Sequence, residues 1–375
     1  MNQEICTKLD KNRVEISTVA LKRNAGLIQK RLHSGVQMMG VIKSDAYGLG
    51  LCQVGLSLYE AGVRSFGVGN LDEAIRLNAV LRNVCIYILG PSFLDGVQEI
   101  VEGGFIPLVS SFELFEKLNT VAAKMKVVAK VHLYIDTGMG RIELWYEKGK
   151  EFLDKLSKLE HICIEGVASH FSCIDDDHLD FSLQQIQCFE DFLSKIKQMR
   201  KDTRIVHMAN SGAFLRMPES QYTMVRIGLL LYGIYPWNNA PKIPVTPVLS
   251  WKTRLAFIKI VEKGRTISYG RTFVAQHKTK IGTVPIGYYH GYSRKLSNMS
   301  EVLVGGRRVP VVGTITMDQM MIDLGMDSMD EVGDEVVLIG AQGENIISVE
   351  EMAHKIGTVP YEILCNIKGA RIYDL

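Results

Sequence analysis

The chain has 375 residues, 47% of them apolar and 22% charged, and its 43 basic residues nearly balance 41 acidic ones. That length suits two domains or one large barrel with an addition, and the charge balance offers no basic stripe of the kind nucleic-acid binding needs. Seven cysteines without a Cys-x-x-Cys pair argue against a disulfide framework or a metal site, and the absence of a signal-peptide core or a run of ~18 apolar residues makes a cytoplasmic protein the expectation.

From about residue 15 to 240, short apolar runs alternate with helix-period segments. A run at 38–43 precedes a helix at 51–61, and one at 65–70 precedes a helix at 72–81. The runs 84–89 and 105–109 lead into 94–102 and 112–125. A long β run covers 126–136, another covers 161–170 before a helix at 182–199, and 204–208 precedes a short helix near 211–216. The last run is 222–228. Nearly all-apolar strands alternating with helices imply parallel strands covered by helices. About eight such units in ~225 residues fit a (β/α)8 TIM-type barrel, with a doubly wound open sheet as the alternative. No Gly-x-Gly-x-x-Gly follows a strand, which weighs against a dinucleotide.

The texture changes near Pro241, Pro244 and Pro247, read as a domain entry. Short alternating strands follow at 249–260, 265–268, 280–286, 301–304, 307–311, 320–323 and 335–339. One helix, 348–356, opens on Ser348 with Glu351 at capping-box spacing. The expected division is a barrel at 12–244 and a smaller, mainly antiparallel β-domain at 245–375, with the first eleven or so residues pairing with the latter.

Several strand ends carry polar groups where barrel enzymes place their chemistry. The run at 38–42 stops at Lys43, followed by Ser44-Asp45-Ala46-Tyr47-Gly48-Leu49-Gly50. A lysine at such a rim can be desolvated and nucleophilic enough for a Schiff base, although alone the pattern also describes a surface lysine. The sequence Asp136-Thr137-Gly138-Met139-Gly140-Arg141 brings an arginine fork suited to a phenolate, carboxylate or phosphate, or to a surface ion pair. His170 ends another run. Ser211 opens a helix whose amides favour an anion, and Arg226 precedes Gly228 at the last strand end. The acidic stretch Asp175-Asp176-Asp177-His178 reads as a solvated turn rather than a metal cluster.

Residues 41–50 (Val-Ile-Lys-Ser-Asp-Ala-Tyr-Gly-Leu-Gly) resemble the cofactor-lysine motif of bacterial alanine racemases, barrel-type pyridoxal phosphate (PLP) enzymes. The resemblance continues in order through 136–141, 166–171, 207–211, 224–228, 268–270, 282–288, 312–319 and 360–362. It implies PLP bound as an aldimine on Lys43, which also serves as the base on one face of the substrate. It assigns the opposite base to Tyr269, delivered from the partner subunit of an obligate homodimer with composite sites. Two opposed bases invert a flat intermediate without turning it.

By the same resemblance Arg226 faces the pyridine nitrogen and keeps it unprotonated, and His170 links that arginine to the catalytic tyrosine. Arg141 meets the phenolic oxygen and the substrate carboxylate, Met317 meets the carboxylate through its backbone, and Tyr288 narrows the entrance. Tyr47, Ser211, Gly228 and Tyr361 hold the phosphate. The implied activity interconverts L- and D-alanine for peptidoglycan. The alternatives are a broader or serine-preferring racemase, a barrel-type PLP decarboxylase, and a non-enzymatic PLP carrier, which would lack the second domain.

Four departures flank the expected pocket. Tyr134 stands where many members have a carbamylated lysine that orients the arginine, so Arg141 must be held another way. Thr316 replaces a frequent cysteine, Tyr289-His290 replaces a small-acidic pair, and Glu143 replaces a glycine.

Overall fold

A strand buried at every residue must lie between two apolar surfaces. Ser65–Val68, Ile106–Val109 and Met224–Ile227 are strands of that kind. The computed structural model describes residues 12–199, 203–237 and 239–374. In it these strands belong to an all-parallel series ordered Met224–Ile227, Gln37–Val41, Ser65–Val68, Cys85–Ile88, Ile106–Val109, Ala129–Asp136, Ile162–Ala168 and Ile205–His207. Amide hydrogen bonds from Thr223 to Val206 O (3.1 Å) and from Arg226 to Ala209 O (2.9 Å) join the first strand to the last. The result is the expected (β/α)8 barrel rather than an open sheet. Helices such as Leu51–Glu60, Leu71–Val80 and Phe112–Met125 alternate with the strands, and the main apolar core includes their inward faces. Met39, Tyr87, Ile106 and Met224 form a small separate cluster, and Leu108, Tyr134 and Ala168 form another whose Leu108 and Tyr134 line a cavity with Lys43.

The second domain is a sheet ordered Phe257–Val261, Thr279–Val284, Met320–Asp323, Arg307–Val312, Glu301–Val304, Glu335–Gln342, Leu249–Arg254, Arg13–Ile16 and Ala370–Tyr373. Every pair in it is antiparallel except the last. The run at 249–260 is two strands rather than one. Leu255, buried, and Ala256 donate to Asp334 O and Thr283 O, so the chain leaves one partner strand for another there. Ser348 caps its helix through the Glu351 amide, but the Glu351 carboxylate goes to Arg308 instead of closing a capping box.

Arg13–Ile16 falls within the span assigned to the barrel, yet it pairs with Leu249–Arg254 and Ala370–Tyr373 in the second sheet. Its alternation buries only Val14 and Ile16, too short a period to reveal a partner more than two hundred residues away. The pairing expected of the first eleven residues lies outside the described residues. Among the described residues no helix is long and apolar enough to cross a membrane.

This arrangement brings the chain's last strand against the turn after Lys43. Arg371 donates twice to Gly48 O, at 2.7 and 3.0 Å, and Tyr373 Oη donates to Leu49 O at 2.7 Å. Gly50, at φ +98°, passes so close that an added Cβ would lie 2.0 Å from Tyr373 Oη. Gly50→Ala should therefore lower stability by about 2 kcal/mol or more, read from the urea midpoint, because it adds a clash to a left-handed backbone. An unchanged midpoint would remove this clasp from the account.

Candidate active site

The strand Gln37–Val41 runs through Ile42 and Lys43 into one left-handed helical turn that begins at Ser44. Ser44, Asp45, Ala46 and Tyr47 have φ of +55°, +53°, +55° and +58°. Four consecutive side-chain-bearing residues in that region are strained and persist only where their surroundings over-determine them. Within the turn, the amides of Ala46, Gly48 and Gly50 donate to Ile42 O, Ser44 O and Asp45 O. From outside, the buried Glu73 carboxylate accepts the Asp45 and Gly69 amides, each at 2.8 Å. Asp45 Oδ1 accepts from Leu51 N and from Arg76. The sequence indicated a turn here but not its hand. Glu73 was also missed, although an acid three residues after the helix cap Asn70 was a usable signal.

Lys43 borders two adjoining cavities of about 270 and 470 Å³, which also share Leu89, His170 and Arg226. Burial lowers the Lys43 pKa, and Arg141 and Arg226 push it the same way. The amine is thus biased toward its neutral, nucleophilic form. The larger lobe is lined by Tyr47, Asn210, Ser211, Gly228 and Tyr361. Gly228 N–H donates to Ser211 Oγ at 3.0 Å, and a Cβ on Gly228 would stand 2.4 Å from Tyr47 Oη. The Tyr47 and Tyr361 rings lie 5.6 Å apart. A small residue and the hydroxyls of Tyr47, Ser211 and Tyr361 at one end of a cationic cavity fit a phosphorylated group such as PLP.

Arg226 is buried and bonds only to neutral acceptors. Nη1 donates to His207 Nδ1 (2.7 Å) and His207 O (3.0 Å). Nη2 donates to Ser169 O (2.7 Å), His170 Nδ1 (2.8 Å) and Met208 O (3.1 Å). Because a guanidinium only donates, both imidazoles accept at Nδ1, and the hydrogen-bond network assigns their protons to Nε2. His207 Nε2 then donates to His132 Nδ1 at 2.7 Å. This leaves the His132 proton on Nε2, buried without a hydrogen-bond partner and 4.0 Å from Glu165 Oε2. Burial first, and Arg226 second, hold His170 and His207 well below the ordinary histidine range and His132 at about 3.

Arg141 follows a loop whose Gly138, Met139 and Gly140 amides all donate to the Asp136 carboxylate, and its guanidinium reaches Tyr134 and Glu143. The rim therefore collects Lys43, Tyr47, Arg141, His170, Ser211, Arg226 and Gly228, together with Tyr361 from the helix Pro360–Asn366. Tyr269, Tyr288 and Met317 line neither cavity. Tyr269 is 73% exposed, and the three gather elsewhere on the second domain. There Thr314 Oγ1 donates to Tyr269 O, and the Tyr288 and Tyr289 amides donate to Thr316 O and Met317 O. Among the described residues no three acidic, histidine or cysteine side chains are grouped to hold a metal ion.

Residues 16–236 match the family model of the alanine racemase N-terminal domain, and 248–373 match that of the C-terminal domain. The chain belongs to the alanine racemase family. It is 40% identical to the alanine racemase of Halothermothrix orenii over 94% of this chain and 93% of that one. It superposes on the Bacillus anthracis alanine racemase with bound L-Ala-P with a TM-score of 0.89, at 34% identity, covering 98% and 95% of the two chains. The Bartonella henselae alanine racemase, solved with covalently bound pyridoxal phosphate, gives a TM-score of 0.88 at 27% identity, covering 97% and 99%.

The three neutral histidines make acid the weak side of this fold. A histidine whose folded pKa is depressed contributes nothing to pH dependence above its unfolded value of about 6.5. Below that value the unfolded chain takes up a proton that the folded chain refuses, so stability is lost as pH falls toward the folded pKa. Near pH 5, His132→Asn should flatten the slope of unfolding free energy against pH by one proton, about 1.4 kcal/mol per pH unit. Urea titrations between pH 7 and 4 measure this, and an unaltered slope would mean that His132 is not held neutral.

Proposed function

We propose that the chain is a PLP-dependent alanine racemase, using Lys43 and the partner subunit's Tyr269 as opposed bases. The observation that carries this reading is the Lys43 amine, desolvated beside two permanent cations and next to a cradle suited to phosphate. Tyr47, Ser211, Gly228 and Tyr361 would hold the phosphate, Arg226 the ring nitrogen, and Lys43 the carbonyl carbon. When bound, PLP supplies an electron sink that acidifies the α-hydrogen of an amino acid.

The chain's own groups do the rest. Lys43 Nζ, biased toward its neutral form, takes or returns a proton on one face of the α-carbon. Arg141 draws the substrate carboxylate into the cavity and fixes its orientation. Arg226 keeps its protons at neutral pH, so it would donate a hydrogen bond to the ring nitrogen without protonating it, which would leave the electron sink modest and limit side reactions. Neutral His170 and His207 hold Arg226 by accepting from it and add no charge of their own.

Tyr269, Tyr288 and Met317 lie on an exposed face of the second domain, away from the chain's own cavity. This supports a homodimer in which that face completes the other subunit's site. Tyr269 then serves the opposite face of the α-carbon, Met317 contributes a backbone contact to the carboxylate, and Tyr288 narrows the mouth. The product would be D-alanine for cell-wall peptidoglycan, made in the cytoplasm.

Mixing two defective variants tests both bases and their delivery in trans. Lys43→Ala and Tyr269→Phe should each lower alanine racemisation by at least about a hundredfold. Unfolded and refolded together in equal amounts, they should regain about a quarter of wild-type activity, since half of the dimers would carry one intact site of two. A mixture no more active than its components would exclude the composite site.

A further inference from the structure

Two side chains from different stretches of the chain, Tyr134 and Glu143, meet on one residue. Arg141 Nη2 donates to Tyr134 Oη and to Glu143 Oε1, both at 2.8 Å. The other carboxylate oxygen of Glu143 accepts the Ile142 amide at 2.7 Å. The Glu143 side chain has no exposed surface, whereas that of Arg141 is 42% exposed and lines the Lys43 cavity. Among the described residues no hydrogen bond engages Arg141 Nη1 or Nε. The loop itself is pinned by Asp136 on one side of Arg141 and by the hydrogen bond from Ser110 Oγ to Ile142 O on the other.

A buried carboxylate is costly unless it is paired and hydrogen-bonded, and here both oxygens are taken. Burial pushes the Glu143 carboxyl up, but the Ile142 amide, Arg141 and Tyr134 outweigh it and hold its pKa below the usual range. Burial pushes the Tyr134 hydroxyl up to about 12, so Tyr134 supplies a hydrogen bond and Glu143 the charge. A free arginine side chain loses rotamer entropy when it is fixed, and a preformed clamp removes that cost from substrate binding.

We propose that Tyr134 and Glu143 act as one encoded clamp that fixes Arg141 by Nη2 and leaves its Nη1–Nε edge for the carboxylate of the amino-acid substrate. Both are positioning residues, and they supply an anion beside Arg141 without covalent modification. The proposal rests on the reading of this cavity as an amino-acid racemase site. Steady-state racemisation by PLP-loaded wild type, Glu143→Ala, Glu143→Gln, Tyr134→Phe and the double variant Tyr134→Phe/Glu143→Ala tests it.

Glu143→Ala should raise the KM for alanine about ten- to a hundredfold, with a smaller change in kcat and the cofactor absorbance retained. Formate, small enough for the vacated position, should restore much of the loss. Because the two side chains form one device, the double variant should be no worse than Glu143→Ala within about twofold, whereas independent roles would multiply. A wild-type KM in Glu143→Ala, multiplying effects in the double variant, or failure of formate to rescue a cofactor-loaded variant would each overturn the clamp. If Glu143→Ala does not fold, the isosteric Glu143→Gln carries the test, and a wild-type KM there removes the need for a resident anion. A wild-type protein that does not racemise alanine would sink the functional reading instead, and that outcome is distinct from normal racemisation with unaltered variants.

Discussion

The structure is organised by a buried guanidinium that has no carboxylate partner among the described residues. Arg226 lies inside the barrel, and its bonds end on two imidazoles and three backbone carbonyls. Hydrogen bonding makes its burial tolerable, but its charge stays uncompensated and is felt across the cavity. It helps keep His132, His170 and His207 neutral and helps lower the Lys43 pKa, with burial the larger cause in each case. Arg141 adds a second fixed cation, softened by Glu143. A cavity with this balance favours anionic ligands, and a phosphorylated cofactor and an amino-acid carboxylate both meet that requirement.

Placing an amine in such a field is useful only if the amine is held still. The Lys43 turn supplies that through a conformation that side-chain-bearing residues ordinarily avoid. Glu73 grips it from the barrel, and Arg371 and Tyr373 grip it from the last strand of the second domain. On the proposed function, the second domain has two roles. Its terminal strand steadies the chain's own lysine, while its exposed Tyr269 is proposed to complete another subunit's site. The parallel pairing of Ala370–Tyr373 with Arg13–Ile16 makes the first role possible.

What the sequence made legible follows from period and contrast. Barrel strands announce themselves as apolar runs, and Lys43, Arg141, His170 and Arg226 stand out because polarity begins where the runs stop. The left-handed turn was hidden because Ser44, Asp45, Ala46 and Tyr47 carry none of the glycine signal that marks positive φ. Glu73 sits at capping-box spacing from Asn70, which accounts for the Gly69 amide, but its grip on the Asp45 amide of the Lys43 turn left no mark in the sequence. Arg13–Ile16 was misassigned because four residues cannot name a distant strand. Tyr134 and Glu143 read as separate departures from a family pattern, and only the fold shows that both touch Arg141.

The proposed function makes Lys43, placed in this field and held by this turn, the reactive amine of the chain. Borohydride reduction of the PLP-loaded protein, followed by peptide mass mapping, tests it most directly. One stoichiometric pyridoxyl-phosphate adduct is expected, on the peptide containing Lys43, formed readily at neutral pH. An adduct confined to other lysines, or none in protein that retains its cofactor absorbance, would contradict it.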